Sequence, residues 1–244
     1  MFAFLHHGES RIYTPRGIIA VLMSFSFYSG EVLLIDKPYS WSSFKAVHHI
    51  KKSIAKHPSW TDEQGPHPVK IGHAGTLDPL ATGLLIMCTG KKTKQIQDFM
   101  NLEKVYTGVF FIGATTPCFD REKPVNAEYS IAHITSEHIE IVRQQFIGTQ
   151  HQMPPLYSAI QINGRRAYEI ARSGQTVELQ PRTVSISQLE FKIWNPPFLH
   201  FKVTCSKGTY IRSLARDIGL ALHSGAYVYD LKREQIGTYN LNNA

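Results

Sequence analysis

Residues 70–83 read KIGHAGTLDPLATG, and the interpretation of the whole chain begins with them. The glycines in this stretch permit backbone angles that other residues avoid and let another molecule approach the chain closely. Pro79 restricts Asp78 to extended angles and excludes an ordinary helix at that point. The stretch therefore predicts a fixed loop that presents Asp78, with His73 upstream and an apolar, strand-like run at 84–88 directly after it.

Two interpretations of this loop are open. A glycine-rich segment before a strand is commonly a tight structural turn. This segment, however, also carries His73, Thr76 and Asp78. A turn does not need that set of polar side chains, so the second interpretation is a functional site.

Composition limits the class of protein. The chain has 244 residues, of which 43% are hydrophobic and 18% charged. These values are typical of a soluble globular protein with one large domain or two modest ones. The formal charge of +7 and the isoelectric point near 9.3 predict attraction to polyanions such as nucleic acids.

Cysteine and histidine usage argues against disulfides and metals. Cys88, Cys118 and Cys205 are scattered and form no CxxC pair, which is typical of a protein from the reducing cytoplasm. The histidines lack cysteine or carboxylate neighbours at ligand spacing. We therefore expect no metal site.

The N-terminal segment differs from the rest of the chain. Residues 17–23 are apolar, but the run is far too short to cross a bilayer, and no small-residue cleavage site follows it. We expect residues 1–29 to be an extension, with Met23 as the true start, and residues 30–244 to form the domain.

Strand-like and helical patterns alternate irregularly along the domain. Residues 30–35 form a short buried-strand pattern, and Ser42 then precedes a segment with apolar residues at helical spacing. Asn163-Gly164 is a strong hairpin signal. These patterns predict an α+β fold with a mixed or largely antiparallel central sheet flanked by helices and loops.

The helix after Ser42 carries a group of lysines. A solvated face and a functional basic face explain this group equally well. The lysines are Lys45, Lys51, Lys52 and Lys56.

Three islands carry polar residues that packing does not require. They are His73 with Asp78, Tyr106, and Tyr210 with Arg212. An ionised Asp can act as a nucleophile or a general base, and a nearby Arg favours that form. Tyrosine rings can stack on an unpaired base. The set suggests chemistry on an extruded nucleobase, although Tyr and Arg at strand–helix junctions are commonly structural.

The loop also resembles a known family signature. Residues 72–83, GHAGTLDPLATG, resemble the signature of the TruB family of tRNA pseudouridine synthases, which modify uridine 55 of the T-loop. Five further blocks resemble that family in the same order, and the resemblance runs from about residue 29 to residue 241. The five blocks are DKP at 36–38, KVY at 104–106, MPPLYSA at 153–159, GTYIR at 208–212 and LKR at 231–233.

The resemblance implies the pseudouridine-synthase fold and a cofactor-free isomerisation by base flipping. In that reaction the C1′–N1 bond of uridine breaks, the uracil turns, and C5 is joined to C1′. Asp78 matches the catalytic aspartate, which forms a covalent adduct. Whether it attacks C1′ or C6, or acts through a glycal, stays open.

The resemblance also implies roles for other side chains. Tyr106 matches the tyrosine that stacks on the target base, and Tyr210 matches a second tyrosine that contacts the base. Arg212 matches the arginine that pairs with the catalytic aspartate. Leu231 matches a substrate-contacting residue, and His73 matches the histidine that fills the space left by the extruded nucleotide.

The implied partner is the T stem-loop of tRNA, in the cytoplasm, with no membrane and no obligate protein partner; we expect a monomer. Basic residues near the blocks are candidates for contacts with RNA phosphates. They are Lys37, Lys91, Lys92, Lys94, Arg165, Arg166, Lys207, Lys232 and Arg233.

Some positions depart from the family pattern. Ala74 and Tyr227 stand where many relatives have a small hydroxyl residue and a histidine. The chain ends at Ala244, too soon for the C-terminal PUA domain of many bacterial relatives, so we expect no separate PUA domain and weaker binding to the acceptor arm. The loop at 60–68 is longer than usual and has no functional explanation.

Two other functions compete with synthase activity. The first is an RNA-binding protein on the same scaffold without catalysis, such as a tRNA-folding chaperone. The second is a glycoside hydrolase that uses Asp78, but no second carboxylate stands at an identifiable partner position.

Overall fold

The computed structural model describes residues 2–6, 9–13, 25–62, 65–158, 161–162, 164–167, 170 and 179–241. The apolar run 17–23, with the expected start at Met23, lies outside these ranges. The chain divides into two compact units, the first formed by residues 1–105 with 232–244 and the second by residues 106–231.

The first unit combines short strands with two helices. An N-terminal hairpin pairs β1 (Phe2–His6) with β2 (Glu9–Tyr13). The elements that follow are β3 (Val32–Lys37), α1 (Ser43–Ile54), β4 (Thr61–Asp62), β5 (Gly65–Pro66), β6 (Ile71–His73), β7 (Thr82–Thr89) and α2 (Ile96–Asn101).

Strand β7 is the centre of the sheet in the first unit. It pairs antiparallel with β3 and with β6. It also runs parallel to the end of β16 (Ala226–Ile236), with Thr82 opposite Lys232 and Gly83 opposite Arg233. β17 (Tyr239–Asn240) closes the unit by pairing antiparallel with β16.

Both faces of β7 are buried, which explains why its sequence is apolar without interruption. Successive side chains of a strand point to opposite faces. Leu85 and Met87 accordingly pack in one core cluster, with Ile50 of α1. Leu84 and Ile86 pack in the other cluster.

The residues just before the expected start of the domain belong to the core of the first unit. Phe25 and Phe27 are buried and stack on each other with ring centroids 5.4 Å apart. Phe27 also stacks on Trp60 at 6.4 Å. Packing therefore begins at least five residues before Gly30, within the segment that the sequence assigns to an extension.

The second unit holds the longest hairpin among the described residues. Its elements are β8 (Lys104–Ile112, which begins in the first unit), β9 (Ala114–Thr115), β10 (Ala127–Glu128), α3 (Ser136–Gln145), β11 (Gly148–Gln152), β12 (Gln161–Ile162), β13 (Arg165–Arg166), β14 (Arg182–Asn195), β15 (Phe198–Cys205), α4 (Ile211–Ala221) and most of β16.

The strands of this unit follow the order β11–β14–β15–β8–β16. The pairs β11–β14 and β14–β15 are antiparallel. Phe110 of β8 and Phe201 of β15 stack in the buried interior with ring centroids 3.9 Å apart. The α+β class with a mixed, largely antiparallel sheet is confirmed.

In the part of the chain that the structure describes, no helix has both the length and the apolar content needed to span a membrane.

Candidate functional site

The loop between β6 and β7 presents Asp78 as a half-exposed side chain. The loop departs from the sheet at Ala74, whose N–H donates to the Ile86 carbonyl at 2.9 Å. It turns tightly beyond Pro79, where the Ala81 N–H donates to the Asp78 carbonyl at 3.1 Å. The loop predicted from the sequence is therefore present, and Asp78 is partly exposed on it.

Ser43, the first residue of α1, fastens the loop on the N-terminal side of Asp78. Its buried hydroxyl accepts a hydrogen bond from the Leu77 N–H at 2.8 Å and donates one to the Leu77 carbonyl at 3.1 Å. A hydroxyl can do both because it carries one donor and two acceptor lone pairs. Sequence reasoning missed this residue, because the hydroxyl resembles any small polar residue at a helix start.

Lys37, the last residue of β3, fastens the other side of the loop. Its ammonium donates to the carbonyls of Trp41 at 2.6 Å, Pro38 at 3.0 Å and Pro79 at 3.3 Å. Burial lowers the pKa of Lys37 to about 8; attraction to Asp78 opposes this shift, and the charge of Arg233 adds to it. The ammonium is nonetheless the main form at neutral pH.

Arg233 on β16 holds the loop from a third direction. Its Nε donates to the Leu84 carbonyl at 2.7 Å and its Nη2 to the Gly75 carbonyl at 3.0 Å. Gly83 lies opposite it with φ of +96°, and a Cβ there would stand 2.3 Å from the Arg233 carbonyl oxygen. Only glycine tolerates both that angle and that distance.

Lys37 and Arg233, which the sequence predicts to contact RNA phosphates, are both buried in this structure. Lys37 is 0% exposed and Arg233 is 1% exposed. Both side chains donate hydrogen bonds to backbone carbonyls. A phosphate contact needs a donor at the surface. The hydrogen bonds of both cations orient the loop, and the charge of Lys37 interacts with that of Asp78.

His73 on β6 stands beside this loop, half-buried. Burial, and then the charge of Arg233, lower the pKa of His73 from its ordinary value. The ring is therefore neutral at physiological pH. Its Nδ1 is buried and has no hydrogen-bond partner among the described residues. A neutral imidazole of this kind presents a flat face suited to stacking.

The second unit contains a separate buried polar cluster around Arg212, near the start of α4. The Arg212 Nε lies 3.7 Å from an Asp120 carboxylate oxygen, and both residues are buried. Arg212 Nη1 also donates to the carbonyls of Tyr157 at 3.0 Å and Cys118 at 3.2 Å. Burial, and then a hydrogen bond to Asp120, raise the pKa of the Cys118 thiol.

Sequence reasoning missed Asp120. Its carboxylate accepts from the Glu122 N–H at 2.9 Å and from Cys118 Sγ at 2.9 Å. Its backbone bridges to Val228. A buried acid in a loop with a distant basic partner leaves no local sequence signal.

Tyr210 precedes α4 and is half-exposed. The buried side-chain amide of Gln152 makes hydrogen bonds with both the N–H and the carbonyl of Tyr210. Gln152 Oε1 accepts from the Tyr210 N–H at 2.8 Å, and Gln152 Nε2 donates to the Tyr210 carbonyl at 3.1 Å. Gln152 is a third residue that the sequence did not indicate, and its two hydrogen bonds fix the position of the Tyr210 backbone.

The structure thus brings some predicted residues together. Asp78, His73, Lys37 and Arg233 gather in the first unit, with Ser43 as an addition. Tyr106 on β8 and Leu231 on β16 are 8% and 6% exposed and belong, like Tyr210 and Arg212, to the second unit. The pairing of Arg212 with the aspartate and the stacking role of Tyr106 stay predictions.

No three His, Cys, Asp or Glu side chains of the described ranges are placed to hold a metal ion together.

Comparison with known proteins identifies the family. The sequence profile described as "TruB family pseudouridylate synthase (N terminal domain)" matches residues 64–211. A "tRNA pseudouridine synthase B" from Phocaeicola vulgatus is 48% identical over 216 residues, which cover 88% of this chain and 89% of that one. The enzyme of the same name from Flavobacterium johnsoniae is 46% identical over 218 residues, covering 89% and 93%.

Solved structures share the fold. The chain matches a structure titled "Crystal Structure of a Cbf5-Nop10-Gar1 Complex" with a TM-score of 0.65 and 26% identity. The match covers 90% of this chain and 52% of the solved one, so the chain spans about half the length of that neighbour. The chain belongs to the TruB family of pseudouridylate synthases.

Proposed function

We propose that the protein converts uridine 55 in the T-loop of tRNA to pseudouridine, without a cofactor, by base flipping and covalent catalysis by Asp78. One observation supports this proposal above the others. Asp78 is half-exposed on a loop whose backbone is hydrogen-bonded by Ser43 on one side and by Lys37 on the other. A nucleophile needs this combination of access and fixed orientation.

The proposed reaction is an isomerisation in which atoms balance. The C1′–N1 bond breaks, the uracil turns while it stays bound, and a C1′–C5 bond forms. The proton on C5 is released to solvent and N1 gains a proton, so substrate and product have the same composition. Asp78 acts as nucleophile at C1′ or C6, or as the base that leads to a glycal.

The other residues act on binding and charge in this proposal. Extrusion of the uridine costs a few kcal/mol of stacking. The flat neutral ring of His73 and the rings of Tyr106 and Tyr210 offset that cost by stacking on bases. Arg212 supports the charge of the catalytic aspartate, and Leu231 contacts the substrate. The protein works as a monomer in the cytoplasm.

Release of tritium from tRNA labelled with [5-³H]uridine tests the proposal. A synthase releases the C5 hydrogen, whereas an RNA chaperone releases none. A glycoside hydrolase frees uracil that retains its label. Asp78→Asn must abolish release while the protein still binds RNA, and a transcript with cytidine at position 55 must release none. Release by the Asp78→Asn variant at the wild-type rate would rule out the nucleophile.

The alternative of a silent tRNA chaperone makes the opposite prediction in the same assay. It binds and refolds tRNA with Asp78 intact and releases no tritium.

A further inference from the structure

One side of α1 is exposed and, apart from Ser53, carries only basic and aromatic residues. Along the helix, Ala46, Ile50 and Ile54 are buried, whereas the residues on the opposite side are exposed. The two sides follow from the helical period of 3.6 residues. The exposed side consists of Phe44, Lys45, His48, His49, Lys51, Lys52 and Ser53.

The charge of this side has a single sign. The helix contains no acidic residue, and none stands in its first turn. Lys51 and Lys52 lie in the last turn, where the helix dipole favours a cation. Lys45 lies in the first turn, where the dipole disfavours one. Helix stability therefore does not explain why a lysine stands at position 45. Binding of an anionic partner would explain it.

Lys45 packs against an aromatic ring. Its ammonium stands 4.7 Å from the centroid of the Trp41 ring, and the His49 ring packs edge-on against Trp41 at 5.3 Å. Phe44 is 77% exposed and Tyr39 is 47% exposed. A single exposed ring needs no explanation, but exposed rings interleaved with cations form the usual platform for RNA bases and phosphates.

We propose that this aromatic–basic face, defined as Tyr39, Trp41 and the exposed side of α1, is a second RNA-binding surface. Its lysines bind phosphates of a stem, and Phe44 stacks on an unpaired base of the same RNA, away from the target uridine. The inference rests on the proposed function in one respect, because it takes the substrate RNA as the occupant.

The aromatic–basic face lies next in sequence to the residue that holds the Asp78 loop. Ser43, which holds the Leu77 backbone, is the direct neighbour of Phe44. RNA bound along the exposed side therefore contacts the same helix turn that fixes the residue before Asp78. A contact there raises the affinity for RNA, while Ser43 holds the loop with or without that contact.

Binding of a fluorescein-labelled tRNA transcript, followed by anisotropy at several salt concentrations, tests this surface. The variants are Phe44→Ala and the double variant Lys45→Gln/Lys52→Gln. Matched controls are Ile141→Ala, an exposed apolar helix residue at 61%, and Lys192→Gln, whose ammonium lies 3.9 Å from Glu190. Both controls belong to the second unit.

We expect the double variant to raise Kd about tenfold and to lower the salt slope by about two, because each phosphate contact contributes about one. Phe44→Ala should raise Kd about fivefold or more. The single-turnover rate at saturating RNA should stay within twofold of wild type, and the controls should bind like wild type. Phe44→Tyr and Lys45→Arg should restore affinity.

An unchanged Kd and salt slope in both variants would overturn the inference and leave a protein partner as the remaining occupant. A loss of affinity that the conservative variants do not restore, accompanied by a lower melting temperature, would assign the face a structural role and also overturn it. The readout is independent of catalysis. If wild type binds through this face but releases no tritium, the proposed function fails and the inference stands.

Discussion

The hydroxyl of Ser43 makes two hydrogen bonds with the backbone of Leu77, the residue directly before Asp78. These bonds connect the first turn of a helix to a loop 34 residues further along the chain. A loop carbonyl and N–H that would otherwise be buried without partners are satisfied together. The orientation of Asp78 therefore depends on a residue that has no chemistry of its own.

Replacement of Ser43 by alanine should weaken both stability and turnover. The Leu77 groups lose their partner in a buried site, which costs about 1–3 kcal/mol of unfolding free energy. Because the loop is then free to shift, kcat should fall about tenfold or more. Urea unfolding and single-turnover kinetics measure the two effects.

Ser53→Ala is the matched control, because its hydroxyl donates to the His49 carbonyl at 3.1 Å on the exposed side of the same helix. It should leave both quantities near wild type. Equal effects of the two substitutions would contradict a specific role for Ser43.

The pH dependence of stability should show a contribution from Lys37. Its pKa is lowered to about 8 in the folded protein, from 10.5. Between these values the unfolded chain binds more protons than the folded one, so stability from this group rises with pH. Below about pH 8 both states are protonated and the cost of burying the charge is constant.

Urea unfolding of wild type and Lys37→Met at pH 7 to 10 measures this contribution. The difference between them should shift in favour of wild type by about 2–3 kcal/mol across the interval. Subtraction removes the titration of other groups. A difference that stays flat with pH would show that the lysine titrates normally in the folded state.

Replacement by alanine should cost different amounts of stability at two glycines near Asp78. Both Gly75 and Gly83 have left-handed φ, +94° and +96°. A Cβ on Gly75 would stand 3.6 Å from Arg233 Nη1, in ordinary contact, whereas one on Gly83 would stand 2.3 Å from the Arg233 carbonyl oxygen. Gly75→Ala should cost about 1–2 kcal/mol from the backbone angle alone.

Gly83→Ala should cost more than about 3 kcal/mol, because the paired strand must also move. Chemical denaturation of the two variants gives the comparison. Similar losses of unfolding free energy at both positions would mean that the paired strands β7 and β16 can move apart at little cost.

The buried pair formed by Arg212 and Asp120 should show strong coupling. Removing one partner leaves a buried charge without compensation, which costs about 3–5 kcal/mol. Arg212→Met and Asp120→Leu should each destabilise the protein strongly, and the double variant should be less unstable than the sum of both. A double-mutant cycle should give about 1–3 kcal/mol of coupling; strict additivity would show that the two charges do not interact.

The Asp78 loop was predictable because its signal is local. Gly83 and the Asp78–Pro79 pair constrain the backbone within a few residues, and β7 follows as an uninterrupted apolar run. The same local logic predicted the helix after Ser42, since its apolar residues recur at helical spacing. Phe25 and Phe27 were not assigned to the domain, because two isolated aromatics in a short segment carry no periodicity.

The charged residues show most clearly what the sequence determines and what only the tertiary structure decides. The sequence by itself determined that Lys37 and Arg233 accompany the Asp78 loop in ordered blocks, and that the family is TruB. Only the tertiary structure decided that both cations are buried and bind loop carbonyls, whereas the lysines of α1 remain exposed. The physical reason is that a long cationic side chain is equally compatible with solvent and with a carbonyl-lined interior. Contacts between segments distant in the chain determine which of the two it meets.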